Sequence, residues 1–74
     1  MSTIIYNVYV GQYQDMSSCK TMQSQLNQKG FKGIPYNLGI YFSLRVFSTT
    51  DYKYALEVCQ NLKRNKFESF ILNV

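Results

Sequence analysis

The stretch that decides the fold is residues 4–10, IIYNVYV, because its pattern returns 36 positions later in residues 40–46, IYFSLRV. Within these stretches, residues 5–10 and 41–46 alternate between apolar and polar side chains, which is typical of half-buried strands. The core-facing residues are predicted to be Tyr6, Val8 and Val10 in the first strand, and Phe42, Leu44 and Val46 in the second. Each of two similar units therefore begins with a strand.

The same offset aligns residues 4–38 with residues 40–74 without a gap. The predicted helices span residues 16–29, with the buried stripe Met16, Cys19, Met22 and Leu26, and residues 52–64, with the stripe Tyr52, Ala55, Val58 and Leu62. The second strands are predicted at residues 31–36 and 67–72, with the turn Asn37-Leu38-Gly39 joining the halves. A spacing shared through strand, helix and second strand indicates an internal duplication.

Both helices carry signals at their ends. Asp15 and Asp51 precede them, where a carboxylate accepts hydrogen bonds from unpaired amides and suits the helix dipole. Gly30 is expected to end the first helix in the left-handed conformation that glycine adopts without strain. Lys66 stands at the matching position of the second half, and Asn65 is expected to take that role there.

Two strand–helix–strand halves joined by a hairpin predict one α+β domain over residues 1–74, with halves at 4–38 and 40–74. Right-handed crossovers pack both helices against the same side of one sheet. The predicted fold is a βαββαβ tandem repeat, in which a four-stranded antiparallel sheet carries two helices on one face, as in ferredoxin-like and RNP-like domains. The other face is left open, and we expect function to lie there.

The composition excludes much enzyme chemistry. The 74 residues contain no His, so that triads and metal sites built on imidazole are excluded, and the four carboxylates form no close pair in sequence. Cys19 and Cys59 lack zinc-ligand spacing, and side-by-side helices would allow them either to form a disulfide or to remain two thiols. We predict a binding module, not an enzyme, with no catalytic residue, metal or cofactor.

Charge and hydropathy make nucleic acids and membranes poor partners for this chain. Eight Lys or Arg residues against four Asp or Glu residues give a net charge of +4, but the excess is scattered, so specific nucleic-acid binding is not expected. No window is apolar enough to enter a membrane, and the first residues lack a signal-peptide pattern. The segment is expected not to insert into a membrane, and any targeting sequence of an exported host lies outside it.

Three short motifs, taken in order, resemble a known family. They are the strand and turn Val8-Tyr9-Val10-Gly11-Gln12-Tyr13, the helix ending Lys29-Gly30-Phe31, and the strand Leu44-Arg45-Val46. Over residues 5–73 the chain resembles the SPOR domain, a sporulation-related repeat of bacteria. The resemblance implies a domain that binds peptidoglycan glycan strands, in particular strands stripped of their stem peptides, in proteins of cell division, sporulation and the cell wall. It also implies a location outside the cytoplasm, in the cell envelope.

The resemblance further implies that the sugar chain lies on the open sheet face, although some ligand positions depart from the family. Tyr9 stands where the family often has Gln, Gln12 where it often has Ser, and Ser43 where it often has Arg. Alternation places aromatic and small polar residues on this face, a mixture that suits sugar C–H patches and hydroxyl groups. The candidate glycan-binding residues are Asn7, Tyr9, Gln12, Ile34, Tyr36, Tyr41, Ser43, Arg45 and Phe70, and Phe47 and Leu72 are expected on the same face.

Two other functions use the same architecture. An RNA-binding domain of RRM type stacks bases on the aromatic residues of such a sheet, but the strand at residues 40–47 lacks the Gly-rich pattern of that class. A protein-interaction domain, for instance a homodimer, would bury the apolar part of the open face instead. The leading prediction is a non-catalytic glycan-binding module that targets a larger cell-envelope protein.

Overall fold

The computed structural model describes residues 3–73, and the predicted domain limits at residues 1 and 74 lie outside them. The elements follow one another as β1 (Tyr6–Tyr13), α1 (Met16–Gln28), β2 (Ile34–Asn37), β3 (Phe42–Thr49), α2 (Tyr52–Arg64) and β4 (Ser69–Asn73). The strands form one antiparallel sheet in the order β2-β3-β1-β4. The predicted α+β fold, with four antiparallel strands and two helices in βαββαβ order, is confirmed.

Both helices pack against one side of the sheet and bury a small apolar core there. Helix α1 contacts β1, β2 and β3, and α2 contacts β1, β3 and β4. Each fully buried Leu or Val side chain contributes about 1.5–3 kcal/mol by leaving water. The core consists of Val8, Val10, Cys19, Leu26, Leu44, Ala55, Leu62 and Phe67. Met16 and Tyr52 were expected to be buried but are exposed, because they lie in the first helical turn, where each apolar stripe ends.

Aspartates begin both helices, as predicted. Asp15 accepts a hydrogen bond from the Ser18 amide at 2.8 Å, and Asp51 accepts one from the Lys53 amide at 3.0 Å. The bond from the Ser18 amide lowers the pKa of the Asp15 carboxyl below its ordinary value of 3.8. The carboxylate therefore remains ionised, and the cap intact, at neutral pH.

The helices also end alike, but the left-handed residue that ends the second helix is not the one predicted. Gly30 has a φ of +88°, as predicted for a left-handed helix end. In the second half Lys66 adopts this conformation, with a φ of +68°, whereas Asn65 has a φ of −93°. The next amide after each left-handed residue donates to a helix carbonyl at 2.9 Å. The expectation for Asn65 is wrong because this bonded turn fixes the left-handed position, whatever side chain stands there.

The phenylalanines that follow the helices join the core instead of the strands. Phe31 and Phe67 are predicted as the first residues of the second strands, but their rings meet edge-on, with centroids 6.1 Å apart and planes at 82°. Strands β2 and β4 therefore begin later than predicted. Position 33 lies beneath α1, as expected, since a Cβ on Gly33 would come within 3.0 Å of Leu26 Cδ1.

A β-bulge in β3 changes which side chains face the helices. Val8 pairs with Phe47, but the next β1 residue pairs with Arg45, so Val46 is an extra residue on β3. Phe47 thereby shares the helix side with Val8, and its ring stacks on that of Tyr54, with centroids 5.2 Å apart. The expectation that Phe47 lies on the open face is wrong because the extra residue reverses the alternation.

The hairpin between the halves is closed by one of its own side chains. Asn37 Oδ1 accepts a hydrogen bond from the Gly39 amide at 2.9 Å, and Gly39 has a φ of +102°. The Leu38 amide donates to the Tyr41 carbonyl, also at 2.9 Å. The predicted hairpin is confirmed, but its connection lies at residues 38–41, since Asn37 ends β2 and β3 begins at Phe42.

Candidate functional site

One row of side chains crosses the sheet face that the helices leave open. Tyr9 on β1 pairs with Arg45 on β3 and with Phe70 on β4, and Arg45 pairs in turn with Ile34 on β2. Paired residues of a sheet point to the same side, so these four side chains lie next to one another across all four strands. With strands about 4.8 Å apart, this cross-strand row is roughly 14 Å long.

Aromatic rings cover the middle of the open face. The Phe70 ring stacks on the Tyr9 ring at 5.6 Å and 21°, Tyr36 meets Tyr9 edge-on at 6.4 Å, and Tyr41 meets Phe70 edge-on at 6.3 Å. We call these four residues the aromatic cluster. Tyr9 is only 6% exposed and forms the floor of the cluster, whereas the other three are half-buried and reach solvent. The cluster therefore presents its outer rings to solvent and holds them in place from below.

Arg45 brings a positive charge to this surface. Its guanidinium carbon lies 4.3 Å from the centre of the Tyr36 ring, a cation–π contact that holds the side chain along the sheet. The planar group offers N–H donors at its edges, which can bond the carbonyl or hydroxyl oxygens of a ligand. Arg45 is the one charged residue among the nine candidates, so the candidate surface carries little charge.

Ser43 lies under the surface and not on it. Its side chain is fully buried, and its hydroxyl donates to the Gly11 carbonyl at 2.6 Å and lies 3.1 Å from the Val10 carbonyl oxygen. Both carbonyls belong to an irregular part of β1, where Gly11 has a φ of +75° and a Cβ would collide with the Tyr13 ring. Ser43 lies on the predicted side of the sheet, where it pairs with Tyr36, but it does not reach solvent as a sugar contact requires, because its hydroxyl bonds the carbonyls of this irregular stretch.

Asn7 is also covered, at 6% exposure, although it lies on the open side of the sheet. Its amide oxygen accepts a hydrogen bond from the Ser48 hydroxyl at 2.6 Å, across the β1–β3 pair. Asn7 and Ser43 are equivalent positions of the duplication. Both halves therefore use this position to bond one central strand to the other. Asn7 lies on the predicted side of the sheet, but its bond to Ser48 leaves it little exposed.

Gln12 is exposed at the end of β1, beside a groove of about 720 Å³ between α2 and the start of β4. This α2–β4 groove is lined by Gly11, Gln12, Leu56, Cys59, Lys63 and Phe70, among others. Phe70 belongs to both the groove and the aromatic cluster, so the two surfaces adjoin at the edge of the sheet. No sequence motif predicts the groove, because it depends on how α2 packs over β4.

Comparison with known proteins agrees with this architecture. The family model of the SPOR domain matches residues 2–73. The chain belongs to the SPOR domain family. It is similar to the solution structure of the peptidoglycan binding domain of the B. subtilis cell wall lytic enzyme CwlC, with a TM-score of 0.83 and 16% identity over 100% of this chain and 94% of that one. At this identity the likeness concerns the fold, and a search of curated proteins found no match.

Residues 3–73 contain no group of three His, Cys, Asp or Glu side chains that could hold a metal ion. Helices α1 and α2 have 13 residues each, and neither could span a membrane. Cys19 and Cys59 are free thiols, and burial raises the pKa of the Cys19 thiol, which keeps it protonated at neutral pH. The disulfide that the sequence left open is not formed.

The SPOR fold brings most of the candidate residues together. The candidates that reach solvent on the open face are Ile34, Tyr36, Tyr41, Arg45 and Phe70. Tyr9 supports them from below, Gln12 stands beside the groove, and Asn7 and Ser43 bond the central strands. Contact of any of these residues with a ligand stays a prediction.

Proposed function

We propose that this SPOR domain binds the glycan strands of peptidoglycan on its open sheet face and has no catalytic activity of its own. The aromatic cluster carries the proposal, since it lies uncovered on the face opposite the helices. Support also comes from the peptidoglycan binding domain of CwlC, which has the same fold.

The chemistry of the open face suits a sugar polymer. Sugar rings have apolar C–H patches that pack on aromatic faces, which Tyr36, Tyr41 and Phe70 supply. Arg45 donates hydrogen bonds to N-acetyl carbonyl and hydroxyl oxygens, and the Tyr36 ring holds its guanidinium in place for this. Because Tyr9 locks the cluster from below, little side-chain freedom remains to be lost on binding.

The remaining candidates have different parts in this proposal. Ile34 is exposed at the β2 end of the cross-strand row and extends the apolar contact. Gln12 offers an amide to sugar hydroxyls beside the α2–β4 groove. Asn7 and Ser43 act indirectly, since their hydrogen bonds keep β1 and β3 in register beneath the sugar.

The preferred ligand in this proposal is a glycan strand without stem peptides. The outer rings of the cluster are half-buried, so a sugar must come close to the sheet to contact them. Peptide branches would hold the strand away from this surface. Such a module carries a larger protein of the cell envelope to places where stem peptides have been removed.

Retention on purified sacculi tests the proposal. One portion is left intact, and the other is treated with an amidase that removes the stem peptides. We expect retention on both, with more on the treated portion. Failure to bind either portion would contradict glycan binding, whereas equal retention would contradict only the preference for stripped strands.

Two tyrosine variants show whether the open face is responsible. Tyr41→Ala removes an outer ring of the cluster, and retention should fall about 3- to 10-fold. Tyr54→Ala, at a tyrosine that is 52% exposed on α2, is the matched control and should bind like the unmodified chain. Equal retention of the two variants would place the binding surface elsewhere.

A further inference from the structure

The two edges of the sheet differ in a way that the fold alone does not require. On the β4 edge, the Gly11 amide donates to the Glu68 carbonyl at 3.1 Å. Bonded and non-bonded pairs alternate along an antiparallel ladder, so Phe70 and Leu72 also bond to β1. The backbone N–H and C=O groups that point outward from β4 therefore belong to Ser69, Ile71 and Asn73.

The equivalent edge on β2 is closed. The bond from the Leu38 amide to the Tyr41 carbonyl fixes the same alternation there, so Gly33, Pro35 and Asn37 are the outward positions. Proline has no N–H, and the Gly33 carbonyl already accepts a hydrogen bond from Gln23 Nε2 at 2.8 Å. A further strand beside β2 would therefore find no N–H at Pro35 and no free carbonyl at Gly33.

The β4 edge has neither the proline nor the glutamine hydrogen bond that block pairing on the β2 edge. In the repeat register Cys59 stands in place of Gln23, and its short thiol leaves the α2–β4 groove open beside Ser69. Ile71 stands in place of Pro35 and keeps its outward N–H. The segment Ser69–Asn73 contains no charge and no proline, two of the features that protect an edge strand from pairing.

We propose that a second copy of this chain pairs with the β4 edge, antiparallel, so that Ile71 lies beside the partner's Ile71 on a two-fold axis. In this register Ser69 exchanges hydrogen bonds with the partner's Asn73, and all outward groups are satisfied. Phe70 then lies beside the partner's Leu72 on the open face. Polar residues meet polar ones and apolar residues meet apolar ones, which makes β4 complementary to itself.

This pairing has a consequence for ligand binding. The two-fold axis is perpendicular to the sheet, so the joined sheet has eight strands and both open faces point the same way. Leu72, which is 39% exposed in the single chain, becomes part of the continuous surface. Two aromatic clusters on one surface bind a long polymer with higher avidity than either alone.

Sedimentation of the whole chain tests the pairing. Between ~10 µM and ~1 mM the weight-average mass should rise from 8.7 kDa toward twice that value. A chemically synthesised chain with an N-methyl group on the Ile71 amide keeps every side chain and blocks only the outward group, so it should stay at one chain mass. The same modification at Asn37, on the β2 edge, is the control and should dimerise like the unmodified chain. A single-chain mass throughout, or dimerisation of the Ile71-methylated chain, would overturn the proposal.

Cross-linking tests the register independently. In a Cys59→Ser background, Phe70→Cys chains are mixed with Leu72→Cys chains and oxidised. The paired positions would have Cα atoms about 4.5 Å apart, which a disulfide spans. Mixed disulfides should exceed those between identical chains by several-fold. Equal yields, or an excess of Phe70→Cys chains joined to each other, would contradict the pairing centred on Ile71.

Discussion

The two halves of the molecule share a backbone plan but differ at the positions that face outward. Asp15 and Asp51 both cap their helices, and the left-handed helix ends fall at Gly30 and Lys66, at the same step of the repeat. The difference lies at the sheet edge, where the second half has Cys59 in place of Gln23. The backbone therefore follows the duplication even where the side chain suits it poorly, and distinct surfaces arise where the halves diverge.

The cross-strand row also combines equivalent backbone positions with different side chains. It consists of two equivalent pairs, Ile34 with Phe70 and Tyr9 with Arg45, arranged about the centre of the sheet. Identical residues in each pair would make the row look the same from both ends. Because Arg45 stands where its equivalent position has Tyr9, the two ends of the row differ. A glycan strand also has two different ends.

The largest expected effect concerns the shared core. Leu26→Ala and Leu62→Ala remove fully buried, equivalent side chains, and each should lower the free energy of unfolding by about 2–5 kcal/mol. Urea unfolding measures both, with a stabilising osmolyte where a variant is unfolded in water. Both losses should fall within this range, because the two side chains are equally buried. A much smaller loss for one of them would show that the halves do not share the core equally.

Next come the equivalent hydrogen bonds beneath the open face. Ser43→Ala leaves the Val10 and Gly11 carbonyls without their side-chain donor and should cost about 1–3 kcal/mol of unfolding free energy, whereas Asn7→Ala frees only the exposed Ser48 hydroxyl, which water can satisfy, and should cost about 0.5–1.5 kcal/mol. Thr21→Ala, which removes an exposed hydroxyl bonded to the Ser17 carbonyl, is the control and should cost less than about 0.5 kcal/mol. If both buried variants matched this control, the structural role of the two residues would be refuted.

The charge that makes the two ends of the row differ should matter for binding. Arg45→Gln removes the guanidinium donors and should weaken binding to stripped glycan about tenfold, measured by calorimetry. Arg64→Gln, on the exposed end of α2, removes the same charge elsewhere and should leave the affinity unchanged. Equal losses would mean that net charge, and not the position of Arg45, drives binding.

The smallest expected effect concerns the helix ends. Lys66→Gly should raise the free energy of unfolding by about 1 kcal/mol, because a left-handed backbone costs residues with a Cβ about 1–2 kcal/mol. Gly30→Ala should lower it by about 1 kcal/mol for the same reason. Thermal unfolding of both variants measures the shifts. A loss of stability in Lys66→Gly would show that the lysine side chain compensates for the strain.

The sequence was sufficient for features that depend on local spacing. Element order, the aspartate caps and the single-sided helix layer follow from the alternation and the repeat, because each half must bury the same stripe. The bulge at Val46 and the burial of Ser43 could not be predicted, since both depend on the irregular pairing of β1 with β3. The α2–β4 groove could not be predicted either, because the short Cys59 side chain leaves space only where α2 packs beside β4.

The most direct test of the central claim is chemical-shift perturbation of the chain by a soluble glycan fragment without stem peptides. We expect the signals of Tyr36, Tyr41, Arg45 and Phe70 to move together with increasing fragment, while those of Lys20 and Lys53 on the outer helix surfaces stay still. Shifts confined to the helices, or none at millimolar fragment, would contradict glycan binding on the open face.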